Sequence, residues 1–238
     1  MLDGVNTSMK IWSSAFVTSP DWATLTVSLR NWDRITDDNP GSRLICEMTH
    51  RAKKVYIALG TPNAEVVGDD LYAPNWILDN LGVSGSGEEV EVNWLTDEAF
   101  PAATRIVLRP HDSAFYAVDA KEELESALTR LAVVRQGDTL LIPLAALGDY
   151  EVAFDVVVTE PANVVLAHGD EVVMEFEEAL DTPPPVVTPL PVAEPEPEPE
   201  PAPEPVPQGI MLGGDPNRIM PDGRRWNPWR DGPWGSQS

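Results

Sequence analysis

Cysteine, histidine and basic residues are all scarce in this sequence. Its 238 residues include one cysteine and three histidines, none at a spacing that would hold zinc, so we expect no metal site. The cysteine, Cys46, lies within a short apolar run, which indicates a buried structural thiol and fits a reducing compartment. Lysine and arginine number 16 against 39 acidic residues, and the resulting net charge of −23 argues against nucleic acid as a partner.

Signals of membrane insertion and of catalysis are also missing. No apolar run approaches the roughly 18 residues of a membrane-spanning helix. The N-terminus also lacks the basic segment followed by an apolar one that would indicate a secretory signal. The sequence has no phosphate-binding loop, nucleophile elbow or dinucleotide-binding glycine motif. We therefore expect a soluble intracellular protein without membrane insertion, enzymatic activity, catalytic residues or cofactor. Adjacent acids fall in loops, strand edges or helix starts, where solvated carboxylates are ordinary: Asp37-Asp38, Asp69-Asp70, Glu88-Glu89 and Glu122-Glu123.

Proline, by contrast, is abundant and unevenly placed. Of the 24 prolines, many fall in residues 183–207, where proline and glutamate alternate from 194 to 201. Proline has no amide donor and the glutamates repel one another, so we expect this stretch to be extended and solvated. At ~3.1 Å per residue in the polyproline II conformation, about 25 residues would span up to ~80 Å. We therefore predict a linker over residues 181–208 and a tail over 209–238 that bears tryptophan and arginine.

The body that precedes this linker carries most of the negative charge. Ahead of Thr182, 31 acidic residues oppose 12 basic ones, a net charge of −19. About 180 residues are enough for one large or two small packed domains, and we favour two small ones.

Two helices and four strands are predicted in the first part of the body. A hydroxyl, a proline and an acid at Ser19-Pro20-Asp21 predict a helix start, and this helix should end near Asn31. Residues 74–81 begin with proline and are followed by Gly82, which is suited to a left-handed helix cap. Short runs that are apolar, β-branched or strictly alternating predict strands over residues 43–48, 53–59, 89–94 and 104–108.

A second unit is predicted from about Pro110 onward. Asp119 and Glu122, three residues apart, form a capping-box pattern that opens a helix. Within that helix, four apolar residues fall at helical spacing: Leu124, Ala127, Leu128 and Leu131. The remainder is rich in strand signals separated by turn residues: 140–142, 150–158, 164–166 and 172–176.

Several short segments occur in an order that resembles a known family. Residues 71–81 are similar to the family's Leu-Pro-x-Trp-Met-Met-x-Asn-Leu stretch, and residues 107–110 are similar to its Leu-Gln-Pro. The motif positions, which lie between about residues 16 and 178, are Thr49, His50, Pro74, Trp76, Asn80, Leu81, Gly137 and Asp138. The family is the ubiquitin fusion degradation protein one family, whose members are substrate adaptors of the AAA ATPase called valosin-containing protein.

This resemblance implies a double-psi β-barrel over residues 10–108 and a small α/β subdomain over residues 109–180. The predicted elements agree with a fold that is mainly β with α+β character, because both parts are rich in short strands. The same elements are compatible with other small β folds, so the barrel topology depends on the resemblance. For Leu71, Trp76 and Asn80 we predict a role in the core or in turns.

The tail contains a second, partial resemblance. Family members carry an ATPase-binding box, roughly Phe-x-Gly-x-Gly-x-x-Leu, that often continues through Asn-Arg-Leu-Asp-Gly. In residues 211–223 Met or Leu replaces the Phe, the second glycine is displaced and two residues intervene before Asp222-Gly223. Glycines would let the backbone approach a receptor edge, and apolar side chains would fill pockets. The candidate ATPase-binding residues are Leu212, Gly213, Gly214, Asn217, Arg218 and Ile219.

Together these resemblances imply a non-enzymatic adaptor in ubiquitin-dependent protein degradation, in the cytoplasm and nucleus. The body would bind ubiquitin or polyubiquitin, and the tail would recruit a valosin-containing-protein type AAA ATPase. A nuclear-protein-localisation-four type partner also belongs to the family's pattern, although Pro-Glu repeats here replace most of the region that binds it. Two alternatives stay open: a viral or divergent decoy that competes for the ATPase or its cofactor, and an enzyme on a double-psi barrel.

Overall fold

The computed structural model describes residues 7–37, 40–168, 172–182 and 219–225. The described residues up to 182 belong to one unit, and residues 219–225 belong to a second unit. The predicted linker lies almost wholly outside the described residues, as does most of the tail. The boundaries predicted there stay predictions.

A five-stranded sheet, curled into a half-barrel, dominates the first part of the chain. The strands lie in the order β3-β2-β5-β1-β4, with β1 and β4 parallel and the other neighbours antiparallel. The strands predicted over 43–48, 53–59 and 89–94 are confirmed, because apolar or alternating runs marked each of them. The five strands are β1 (Thr7–Ser13), β2 (Leu44–His50), β3 (Lys53–Ala58), β4 (Leu71–Ala73) and β5 (Ser86–Thr96).

The helix predicted to begin at Ser19-Pro20-Asp21 is wrong. The first α-helix, α1 (Leu29–Asp37), begins ten residues after Ser19 and continues past Asn31. The Asp21 carboxylate instead accepts hydrogen bonds from the amide of Ala23 (2.9 Å) and the hydroxyl of Thr24 (2.8 Å). An aspartate that bonds to the second residue after it makes a tight turn rather than a helix start.

The chain that leaves this turn joins the two edges of the sheet. The amide of Leu25 donates to the carbonyl of Ala58, at the end of β3 (2.9 Å). Thr26 and Tyr72 of β4 donate to each other's carbonyls, each at 2.9 Å. Because β3 and β4 are the edge strands, residues 25 and 26 cover backbone groups that would otherwise be open on both sides.

The helix α2 (Asn75–Leu81) confirms the prediction over residues 74–81. Gly82 ends it in the left-handed region at φ +69°, where its N–H donates to the carbonyl of Asp79 (3.1 Å). One face of α2 packs into the core through Trp76, Ile77, Leu78 and Leu81.

The later part of the body has one α-helix and six strands among the described residues. Four strands form a sheet in the order β11-β6-β9-β8, and β7 pairs with β10. The helix and all the predicted strands are confirmed, but Ala120 rather than Asp119 precedes the helix, without a side-chain cap. The elements are β6 (Arg105–Pro110), α3 (Lys121–Leu131), β7 (Val133–Arg135), β8 (Thr139–Leu144), β9 (Tyr150–Glu160), β10 (Val164–Leu166) and β11 (Val173–Phe176).

One apolar core runs through both parts of the body, and the fold is mainly β. The four apolar positions predicted to face inward from α3 are buried in it. Cys46 is fully buried, as predicted, and burial raises the pKa of its thiol well above the usual value, so the thiol stays protonated. Among the described residues, no helix has both the length and the apolar character that crossing a membrane requires.

Candidate binding surface

The side-chain amide of Asn80 ties α2 to β8. Its Nδ2 group donates to the carbonyl of Thr139 (2.8 Å) and to the carbonyl of Trp76 in its own helix (2.8 Å). Its Oδ1 atom accepts from the amide of Thr139 (3.0 Å). One side chain therefore satisfies both backbone groups of the first residue of β8, which holds that strand against the end of α2.

Asp138 makes a second link between the two parts of the body, through Arg135. The Arg135 guanidinium donates to Asp138 Oδ1 (3.0 Å) and to the carbonyl of Lys54 in β3 (2.6 Å). The Asp138 side chain is only 4% exposed. Burial raises the pKa of its carboxyl to about 6, against the opposing pull of Arg135.

This raised pKa predicts a dependence of stability on pH. Because the carboxyl has a pKa of 3.8 when unperturbed and about 6 in the fold, the native state holds the extra proton between these values. The free energy of unfolding should therefore fall by about 2 kcal/mol, through this one group, as the pH rises from 4 to 7. Asp138→Asn should remove that fall, which urea denaturation of both proteins across this range would measure. A stability difference between them that does not change with pH would contradict the assignment.

The other motif residues of the body also have structural roles, in strand pairing, in a turn or in the core. Thr49 and His50 end β2 and pair with the first two residues of β3. Gly137 donates its N–H to the carbonyl of Val156 in β9 (2.8 Å). The remaining motif side chains, together with Leu71, are buried: Pro74, Trp76 and Leu81. These residues build the body and leave its binding surface to be found elsewhere.

In the tail, residues 219–225 form a small turn. Ile219 bridges to Arg225, and the amide of Met220 donates to the carbonyl of Arg224 (2.8 Å). Ile219, a candidate ATPase anchor, is 67% exposed. The other candidate residues lie outside the described residues: Leu212, Gly213, Gly214, Asn217 and Arg218.

Three large apolar side chains stand exposed on the first part of the body. Phe16, Leu29 and Val67 are 69%, 56% and 77% exposed, and we call them the apolar patch. The rings of Phe16 and Trp12 also form an edge-to-face pair, with ring centroids 6.3 Å apart. The sequence did not single out Phe16 or Val67, and it placed Leu29 on a helix that does not form. The available signal was that Phe16 and Val67 are apolar residues that no predicted strand or helix included.

Hydrogen bonds tie the segments that carry Phe16 and Leu29 to the loop of residues 65–68, which carries Val67. The amide of Thr18 donates to Glu65 Oε2 (3.0 Å), and the hydroxyl of Ser28 donates to the carbonyl of Gly68 (2.8 Å). Thr18 and Ser28 each lie within two residues of a patch member, and the loop carries the third member. The three residues therefore lie on segments that are held to one loop.

Acidic residues lie in and directly after the loop that carries Val67. Glu65 accepts the bond from Thr18, which lowers the pKa of its carboxyl below the usual value. Asp70 accepts a bond from the Trp12 indole (2.9 Å), and Asp69 lies 3.8 Å from Arg34 in an exposed ion pair that contributes little stability. An apolar centre with a charged border is the usual anatomy of a protein–protein interface.

Within the part of the chain that the structure describes, no group of three or more His, Cys, Asp or Glu residues could hold a metal ion. Neither a protein-family model nor a curated protein matches the chain. The arguments for function therefore come from the surface described above and from the sequence motifs.

Proposed function

We propose that this chain is a non-enzymatic adaptor that binds ubiquitin or polyubiquitin and recruits a valosin-containing-protein type AAA ATPase. The observation that supports it most is that Phe16, Leu29 and Val67 are exposed on an acidic body and lie on segments held to one loop, since exposed apolar clusters commonly serve as binding sites. The motif resemblance over residues 16–178 supports the choice of partner. We propose that it acts in the cytoplasm and nucleus, as the same resemblance implies.

We further propose that the first sheet is part of a double-psi β-barrel. The hydrogen bonds of Leu25 and Thr26 to both edge strands support closure, because a closed barrel leaves no free edges. In this arrangement the motif residues hold the barrel and the α/β part together, and the apolar patch lies on the barrel.

The apolar patch is the proposed surface for ubiquitin. Burial of its three side chains would supply most of the affinity, while Glu65, Asp69 and Asp70 would favour a partner surface with basic residues and speed the encounter. The tail supplies the second contact, with Leu212 and Ile219 as apolar anchors for the ATPase. A tether of some 25 residues keeps the two contacts at high local concentration.

Binding of the full chain to immobilised polyubiquitin tests the patch. Phe16→Ser together with Val67→Ser should weaken binding about tenfold or more, because interface anchors commonly contribute more than 1 kcal/mol each. Tyr150→Ser is the matched control, since Tyr150 is 56% exposed but lies on β9. Equal binding by the double variant and the control, with unchanged thermal stability in both, would exclude the patch as the ubiquitin site.

A further inference from the structure

A groove with aromatic and proline walls lies between α2 and the edge of the second sheet. Its volume is about 320 Å³. Its walls are formed by Pro20, Trp22, Pro74, Trp76, Leu141 and Pro143. We call it the aromatic groove.

The aromatic groove offers hydrogen-bond donors that no described residue uses. The Trp22 indole N–H, the Ser14 hydroxyl and the Asn75 side-chain amide N–H groups have no partner among the described residues. The Asn75 carbonyl oxygen accepts from Ser13 (2.9 Å), which leaves the amide nitrogen of Asn75 for a ligand. The one carboxylate that lines the groove is Glu151. The site is therefore apolar and rich in donors.

A proline-rich peptide has the complementary chemistry. Each proline lacks an amide donor but keeps its carbonyl acceptor, and the polyproline II conformation is already extended before binding. Aromatic-lined grooves recognise such peptides by packing against the proline rings and donating to the carbonyls. The aromatic groove combines these two features through the half-buried Trp22 ring and the free donors beside it.

This chain contains a proline-rich segment without charged residues. Residues 183–193 hold five prolines and no charged residue, whereas residues 194–204 hold five glutamates. Glu151 in the groove and a body of net charge −19 would repel the second sequence but not the first. We propose that the aromatic groove binds the uncharged proline-rich segment, residues 183–193, of a second copy of this chain.

This interaction goes beyond the proposed adaptor function. Each copy carries both the groove and the segment, so association needs no other protein. Two associated copies would present two apolar patches and two tails, and multivalent binding to polyubiquitin would strengthen accordingly.

Two measurements on the full-length chain test the proposal. A labelled synthetic peptide of residues 183–193 should bind the chain, and a peptide of residues 194–204 should bind about tenfold more weakly or not at all. Sedimentation should show a dimer that forms as the concentration rises. Replacing the five prolines of residues 183–193 with alanine should abolish that dimer.

Variants of the groove distinguish this interaction from nonspecific binding. Trp22→Ala should weaken peptide binding about tenfold and prevent the dimer. Pro143→Glu adds a charge at a half-buried position of the groove and should have the same two effects. It serves as the test if Trp22→Ala does not fold. Ubiquitin binding by a single copy should be unchanged in these variants. A failure of the peptide–groove interaction can therefore be distinguished from a failure of the adaptor function. A chain that stays monomeric at all concentrations, or peptide binding that both variants retain, would overturn the proposal.

Discussion

Replacing Gly60 with alanine is expected to lower the free energy of unfolding by about 3 kcal/mol. A Cβ atom at this position would lie 2.2 Å from Thr24 Oγ1 and 2.9 Å from Thr24 Cβ. Gly60 also donates its N–H to the carbonyl of Leu25 (2.9 Å) and accepts from the Trp32 indole (3.1 Å). The added methyl group would therefore push away the segment that joins the edges of the first sheet. Urea denaturation followed by tryptophan fluorescence would measure the loss.

Gly41→Ala is the control for this substitution. An alanine Cβ at position 41 would have no atom within 4 Å, so its cost should come from the positive φ of +85° alone, about 1 kcal/mol. Equal losses in the two variants would mean that close packing at Gly60 is unimportant.

Replacing Asn80 with alanine is expected to cost about 2–3 kcal/mol of unfolding free energy. The substitution removes both hydrogen bonds to the backbone of Thr139 and leaves these partly buried groups without a partner. It should also loosen the contact between α2 and β8, which faster amide hydrogen exchange at the start of β8 would report. Asn63→Ala is the control, because the Asn63 side chain accepts one exposed bond from the amide of Glu65. A cost at Asn80 no greater than at Asn63 would contradict this role.

Local signals in the sequence were enough to find most strands and α2. A proline before the helix and Gly82 after it act on residues within one turn, so their effect does not depend on the rest of the fold. The same kind of signal failed at Ser19-Pro20-Asp21, because Leu25 and Thr26 pair with strands that are distant in sequence. Ala23, Leu25 and Val27 alternate and are fully buried, and that period of two was the better indicator.

The candidate site was harder to predict for a related reason. Asn80 and Thr139 are 59 residues apart in the sequence. No local pattern predicts that an asparagine near the end of one helix will form hydrogen bonds with the first residue of a distant strand. The apolar patch depends on which apolar residues the fold leaves uncovered. A pattern of apolar residues predicts that a face is buried, but it does not identify residues such as Phe16 that remain exposed.

The most direct test of the adaptor account is whether the chain links polyubiquitin to the ATPase. Purified valosin-containing-protein type hexamers would be passed over immobilised polyubiquitin with and without the full-length chain. The account predicts that the hexamer is retained only when the chain is present, and that Leu212→Ser with Ile219→Ser in the tail prevents retention while ubiquitin still binds. Retention of the chain without any gain of ATPase would contradict it.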